Sequence, residues 1–244
     1  RDAYARAESV ARRVGDRLRV AVALAGQGSV LANMGYAEEA IAPLREAEAI
    51  ARAMGAKHRI AQFVGNRANV HSMCGQIDEA LACLEEAEAI ARDIGDQVRI
   101  VRSLWLRASL RARREELRAA ADLLEQAEAV GERMGDRAAA ALSRCRRGPL
   151  LARLGDAEGA WEALTAGVAV LDELRLHDVH YVAHSAELAQ LAWSRADATV
   201  ARQAAERALR VAETLGLDES HPEESMRRAL AQARFIRSRL APDA

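Results

Sequence analysis

Apolar residues recur at three- and four-residue steps along most of this chain, and the pattern itself repeats. Between Ile77 and Gly95, residues Ala80, Leu81, Leu84, Ala87, Ile90, Ala91 and Ile94 form one stripe on a helix. The same segment, IDEALACLEEAEAIARDIG, lies 40 residues after its counterpart ending at Gly55 and 40 before the one ending at Gly135. Looser copies begin near Ala157 and Ala196, and the second half of an earlier copy opens the chain at Asp2. A fixed period of this size predicts a solenoid, because each unit can bury its apolar face only against its neighbours.

Punctuation inside one period divides it into two helices. Gly35, Gly75 and Gly155 end one helix, and Gly15, Gly55, Gly95 and Gly135 end the other, at places where a left-handed residue closes the last turn. Glu115 and Arg195 stand at the first kind of stop in two units. Asp16, Asp96 and Asp136 follow three of the second kind and are placed to accept the unpaired N–H groups of the next helix. Each unit is therefore expected to be a helical hairpin. Gly28, Ala68, Ala108 and Gly148 share one slot in the first helix, where a missing side chain lets two helices approach closely. Pro149 removes a backbone hydrogen bond beside that slot and is expected to kink its helix. Ser220 and Glu223 read as a capping box opening a final helix to Leu240.

These residues resemble the tetratricopeptide repeat: a small residue, a turn glycine seven positions later, and alanines five and twelve past that glycine, as Ala80 and Ala87 follow Gly75. The longer second helix, closed by Gly-Asp in place of the family's proline, is similar to repeats found in bacterial multidomain signalling regulators. The resemblance covers residues 1–216, with units starting near 36, 76, 116, 156 and 196, and leaves 217–244 as a capping helix and tail. It implies an all-α fold, an α-solenoid of about five to six hairpins wound into a right-handed superhelix. It also implies that partners bind the concave face built from the first helices.

Composition changes this picture little. Half of the residues are hydrophobic but only 3% aromatic, as suits long helices packed through alanine. No apolar run is long enough to cross a membrane and no signal peptide is evident, so the expected setting is cytoplasmic. Cys74, Cys83 and Cys145 lack metal-ligand spacing and read as reduced thiols in helices. The chain opens on Arg1 in mid-pattern, the expectation for a piece of a longer protein. Net charge is −1, so bulk electrostatics select no partner.

Charge is nonetheless segregated. Seven arginines face two acids between Gln97 and Arg118, five face none between Arg137 and Gly155, and Asp78 to Asp93 holds six acids and one arginine. If first helices line the inside, the solenoid is basic within and favours an acidic or extended peptide. The alternative is that these arginines bridge neighbouring helices and cover alanine with their stems. One polar pair recurs: Glu8, Glu48, Glu88 and Glu128, and 19 residues later Gln27, Arg67, Arg107 and Arg147. They are expected to meet across the repeat junction as register-fixing contacts rather than as a ligand ladder. In the next copy Val168 and Glu187 replace both members.

Counting back from the turn gives the family's groove positions. The resemblance implies a partner-binding set of Gln62, Asn69, Met73, Arg102, Trp105, Ser109, Arg113, Arg153 and Trp193. The last copy, counted from Arg195, contributes Val182, Ser185, Ala189 and Ala192 beside Trp193. Asn69 and Arg102 faintly suggest a carboxylate clamp, but its lysines are missing. His177, His180 and His184 lie on one helical face and are the candidates for metal, yet the glutamate of zinc proteases is absent after His180 and a fourth ligand must come from elsewhere. No stacking platform for nucleic acid is evident. Nor is there a phosphate loop or a nucleophile elbow. The reading is a protein- or peptide-recognition module of a bacterial signalling or regulatory protein, non-enzymatic and without cofactor. A self-assembling scaffold, or homo-oligomer, and a small-molecule sensor are the alternatives.

Overall fold

The computed structural model describes residues 2–218 and 220–240. Among these are twelve helices and no strand. Contacts group the chain into two compact units, Arg1–Arg114 and Glu115–Ala244. The first unit holds α1 (Asp2–Arg13), α2 (Arg17–Asn33), α3 (Ala37–Ala53), α4 (Lys57–Met73), α5 (Ile77–Asp93) and α6 (Gln97–Arg113). The second holds α7 (Leu117–Met134), α8 (Arg137–Arg153), α9 (Ala157–Glu173), α10 (Val179–Ser194), α11 (Ala198–Thr214) and α12 (Glu224–Arg239). Within each unit every helix packs on its neighbour in sequence, and α12 also packs on α10. Residues 241–244 of the expected tail, like Glu219, lie outside the described residues.

Local chemistry places these helices. The Asp16, Asp96 and Asp136 carboxylates accept from the N–H groups of Arg19, Arg99 and Ala139 at 2.9–3.0 Å, as N-caps each worth about 1 kcal/mol. The small-residue slot is a true close approach. A Cβ on Gly28 would lie 2.7 Å from Leu44 Cγ, and one on Gly148 would lie 2.6 Å from Leu164 Cγ. Leu44 and Leu164 are thereby buried against the first helix of their own hairpins, in the cores of the first and second units. Helix α8 continues through Pro149, as α3 does through Pro43.

Two expectations need correction. Ser220 and Glu223 form no capping box: Glu223 is itself the N-cap without a side-chain bond, and the Ser220 hydroxyl donates to Asp218 at 2.6 Å. Pro222 explains this, since it lacks an N–H and pushes His221 away from helical geometry, so the helix cannot begin earlier. The second correction concerns the last turn. The left-handed residue there is Ala196 (φ 60°), not Arg195, and Arg175 (φ 54°) takes the place of a glycine one turn earlier in the array. Three residues separate Arg175 from α10 where one separates Gly135 from α8, and α10 is one residue shorter, so its C-terminal end and the left-handed residue after it are offset by 41 rather than 40 from those of α8.

That one-residue offset re-assigns the faces of α10. One residue of slip on a helix is a rotation of about 100°. Val182, Ser185, Ala189 and Ala192, expected on the exposed face, are all fully buried. Counted from Ala196, the positions become Ala183, Ala186, Gln190, Trp193 and Ser194, all half-buried or exposed except the buried Ala186. The residue aligned with Arg67, Arg107 and Arg147 is Leu188, not Glu187.

Candidate recognition surface

The expected junction pairs form in both units. In the first, Gln27 Nε2 donates to Glu8 at 2.6 Å, Arg67 Nε lies 3.4 Å from Glu48, and Arg107 Nη1 donates to Glu88 at 2.6 Å. In the second, Arg147 Nη2 lies 3.1 Å from Glu128. Glu48, Glu88 and Glu128 are buried, and each has a second arginine: Arg52, Arg92 and Arg144 at 2.6–2.7 Å. At the slipped position Val168 and Leu188 replace the pair, both inside the second core. An acid and a base become two apolar residues together, as expected for groups that face each other in a dry junction. Glu187 turns instead to His184 Nδ1, at 3.0 Å.

Other arginines of the basic helices are also engaged. Arg99 bonds the Asp96 cap, and Arg114 reaches Asp78 in the first unit. Arg153 reaches Glu115 in the second. The guanidinium of Arg113 donates to the carbonyl and hydroxyl of Ser72 at 3.4 and 3.3 Å, tying the C-terminal ends of α4 and α6 together. Much of the local basic excess is thus spent on bridging helices.

Exposed side chains, the bridging Arg113 among them, nevertheless line one face on each of α4 and α6 in the first unit. On α6, Arg102, Ser109 and Arg113 are exposed and Trp105 is half-buried, at three- and four-residue steps. On α4, Asn69 and Met73 are exposed, while half-buried Gln62 accepts from Arg59 at 2.8 Å. Between Gln62 and Asn69 sits Gly65, where an added Cβ would meet nothing within 4 Å, so bare backbone faces open space. Seven of the nine expected residues therefore lie in the first unit. The other two, Arg153 and Trp193, lie in the second, where Trp193 packs edge-on against Phe235 at 6.4 Å between centroids. Gln190 and Ser194 beside Trp193 were missed in the sequence, because nothing in it marks the longer connection after Arg175.

The histidines do not converge on a metal. His177 Nε2 lies 3.1 Å from Asp172, His184 faces Glu187, and His180 stays exposed. Among the described residues no three His, Cys, Asp or Glu side chains are arranged to hold a metal ion. Asp172 is instead a structural hub, accepting from Tyr181 Oη at 2.6 Å and from Arg207 at 2.7 Å. Burial opposes ionisation of Asp172, but the bonds from Tyr181, Arg207 and His177 outweigh it and hold the carboxyl below its ordinary range. Burial, then the Asp172 bond, pushes the Tyr181 phenol up to about 12. Burial likewise pushes the Cys145 thiol up to about 12. No helix of the described residues is long and apolar enough to cross a membrane.

Comparison with known proteins accords with this geometry. Residues 59–133 match the tetratricopeptide repeat family. No curated protein matches the chain in sequence. Among solved structures, apo RapI superposes with a TM-score of 0.79 at 14% identity, over 99% of this chain and 65% of that one. BtubC from P. vanneervenii superposes with a TM-score of 0.76 at 17% identity, over 91% of this chain and 93% of that one. NprR in complex with its cognate peptide NprX superposes with a TM-score of 0.60 at 14% identity, over 92% and 62% respectively. This chain therefore spans under two thirds of RapI and of NprR.

Proposed function

We infer that this chain, an α-solenoid of the tetratricopeptide repeat family, is a protein- or peptide-recognition module whose binding face is presented by the first helices of its hairpins. The observation that supports this most is the paired face of α4 and α6. There Asn69 and Met73 of α4 and Arg102, Ser109 and Arg113 of α6 are exposed and Trp105 is half-buried, with open backbone at Gly65. This face offers an aromatic flank, a flexible thioether, a carboxamide and cations, the mixture that grips an extended segment through side chains and main chain together. Arg102 and Arg113 favour an acidic ligand, a carboxylate or a phosphorylated residue. Trp193 with Gln190 and Ser194, and Arg153, supply further contacts in the second unit. NprR, which binds its cognate peptide, is a neighbour in fold and lends weight to a peptide ligand.

A catalytic role is disfavoured. Two side chains with nucleophilic or acid-base chemistry, Tyr181 and Cys145, are buried, and burial pushes both up to about 12.

Selection of displayed random 12-residue peptides against the intact chain tests the reading. The winners are expected to be acidic, and Arg102→Glu and Met73→Glu are each expected to weaken them at least tenfold, as read by titration calorimetry, with unchanged helicity. Winners without acidic bias that bind both variants as well as the parent would place recognition elsewhere.

A further inference from the structure

Within each unit, adjacent second helices are strapped together by an arginine, with one exception that opens a cleft. In the first unit Arg12 of α1 pairs with Glu8 of its own helix and reaches across to Glu46 of α3 at 2.6 Å, and Arg52 of α3 does the same between Glu48 and Glu86 of α5. In the second unit Arg207 of α11 reaches Asp172 of α9 at 2.7 Å. Between α7 and α9 the positions equivalent to Arg52 and Glu86 hold Glu132 and Ala166, and among the described residues no ion pair joins these two helices. Side chains that fill the space elsewhere are cut down as well: Ala121 and Ala163 stand where the first unit has Ile41 and Cys83. The result is a cleft of about 520 Å³ between α7 and α9, with Arg144, Arg147 and Leu151 of α8 along it. Neither wall is a terminal helix of the chain, and no residue lining the cleft belongs to the face proposed for peptide recognition.

The charges of the cleft fall into two groups. Arg144 is engaged by Glu128 and Glu132 of α7, and Arg147 by Glu125 and Glu128. Asp122 of α7 and Glu162 of α9 line the cleft, exposed and without an ion pair among the described residues, against one cation in the same condition, Arg118. Glu128 also lines it at 8% exposure, and its Oε2, although 3.1 Å from Arg147, has no hydrogen-bond donor within the protein.

We propose that this cleft binds a linear aliphatic polyamine, which takes the place of the missing strap. Its ammonium groups meet Asp122 on one wall and Glu162 on the other, with an N–H available to Glu128 Oε2, and the methylenes between them lie on Ala121, Ala163, Ala166 and Leu151. A carboxylate or phosphate fits less well, because five acids line the cleft and two of its three arginines are already paired. A compact inorganic cation would meet the acids and leave the alanines uncovered.

The test is titration calorimetry of the full chain with spermidine, beside cobalt hexammine, an equally charged ion without methylenes. Spermidine is expected to bind saturably and more tightly than the cobalt complex. Asp122→Asn and Glu162→Gln, both at exposed sites, are each expected to weaken it at least tenfold, and Arg118→Gln is expected to tighten it. Ala166→Arg sets a guanidinium at the place of Glu86 while Glu132 stands at that of Arg52, which rebuilds the strap with its charges exchanged. This variant is expected to lose spermidine binding and to melt at a higher temperature than the parent. Circular dichroism melting of every variant checks the fold, and the two carboxylate variants keep the test decisive should Ala166→Arg melt lower. Absence of saturable binding, equal binding of the cobalt complex, or unchanged affinity in both carboxylate variants overturns the proposal.

Discussion

The junctions of the first unit and the one between α9 and α10 in the second solve the same packing problem with opposite chemistry. In the first unit Glu48 meets Arg67 and Glu88 meets Arg107, each carboxylate nearly removed from solvent. In the second, Val168 and Leu188 fill the equivalent places at 2% and 3% exposure. The ionic version is imperfect: Arg67 Nε, Arg107 Nε and Glu48 Oε2 lack a hydrogen-bond partner within the protein. A buried ion pair recovers its desolvation only when every donor and acceptor is satisfied, so an apolar pair of suitable shape can serve as well. The pairs therefore specify which residues face each other more than they add stability. The turns differ in the same sense. Glycine occupies the left-handed positions of the first unit, whereas the second uses Glu115, Arg175 and Ala196 at three of its own.

Breaking one ionic junction should produce the largest effect. Arg107→Ala leaves Glu88 with only exposed Arg92 for company and is expected to cost about 3 kcal/mol, read as a lower urea midpoint. Converting the apolar junction halfway should cost slightly less. Val168→Glu is expected to lose about 2–3 kcal/mol by burying an unpaired carboxylate, and Leu188→Arg on top of it should restore part of that loss, as a double-mutant cycle will measure.

Acid titration separates the Asp172 hub from these junctions. Its carboxyl is held below the ordinary value of 3.8, so its stabilisation is complete above that value and disappears as pH falls through the lower folded value. Asp172→Asn is expected to lower the melting temperature by several degrees at pH 7, with the gap to the parent closing as pH falls below 3.8. Ala196→Gly should stabilise by about 1 kcal/mol by relieving a left-handed alanine. The smallest change is expected from Glu88→Val with Arg107→Leu, within about 1 kcal/mol of the parent. A loss as large as that of Arg107→Ala alone would show that the ionic pair has no apolar equivalent in the first unit.

Much of the fold was legible because it is written in short-range chemistry. The apolar stripe, the small slot at Gly28 and Gly148, and the caps at Asp16, Asp96 and Asp136 act within one hairpin, so 40-residue comparison alone exposes them. The junction pairs were legible too, since four copies share one spacing. The candidate surface was less so. The longer connection after Arg175 lies in a degenerate stretch with no glycine to mark it, and counting through it placed Val182, Ser185, Ala189 and Ala192 on the wrong face.

Periodicity by itself determined that this protein is built of helical hairpins, where the helices stop up to Gly155, and which residues meet at the recurrent junctions, because these follow from the 3.6-residue turn and from contacts repeated at one sequence separation. Only the tertiary structure decided which arginines are consumed in bridging helices and which faces of α4, α6 and α10 stay open. Those outcomes turn on rotations of a single residue and on groups brought together from different helices, where the free energy of a side chain is set by what stands opposite it in space.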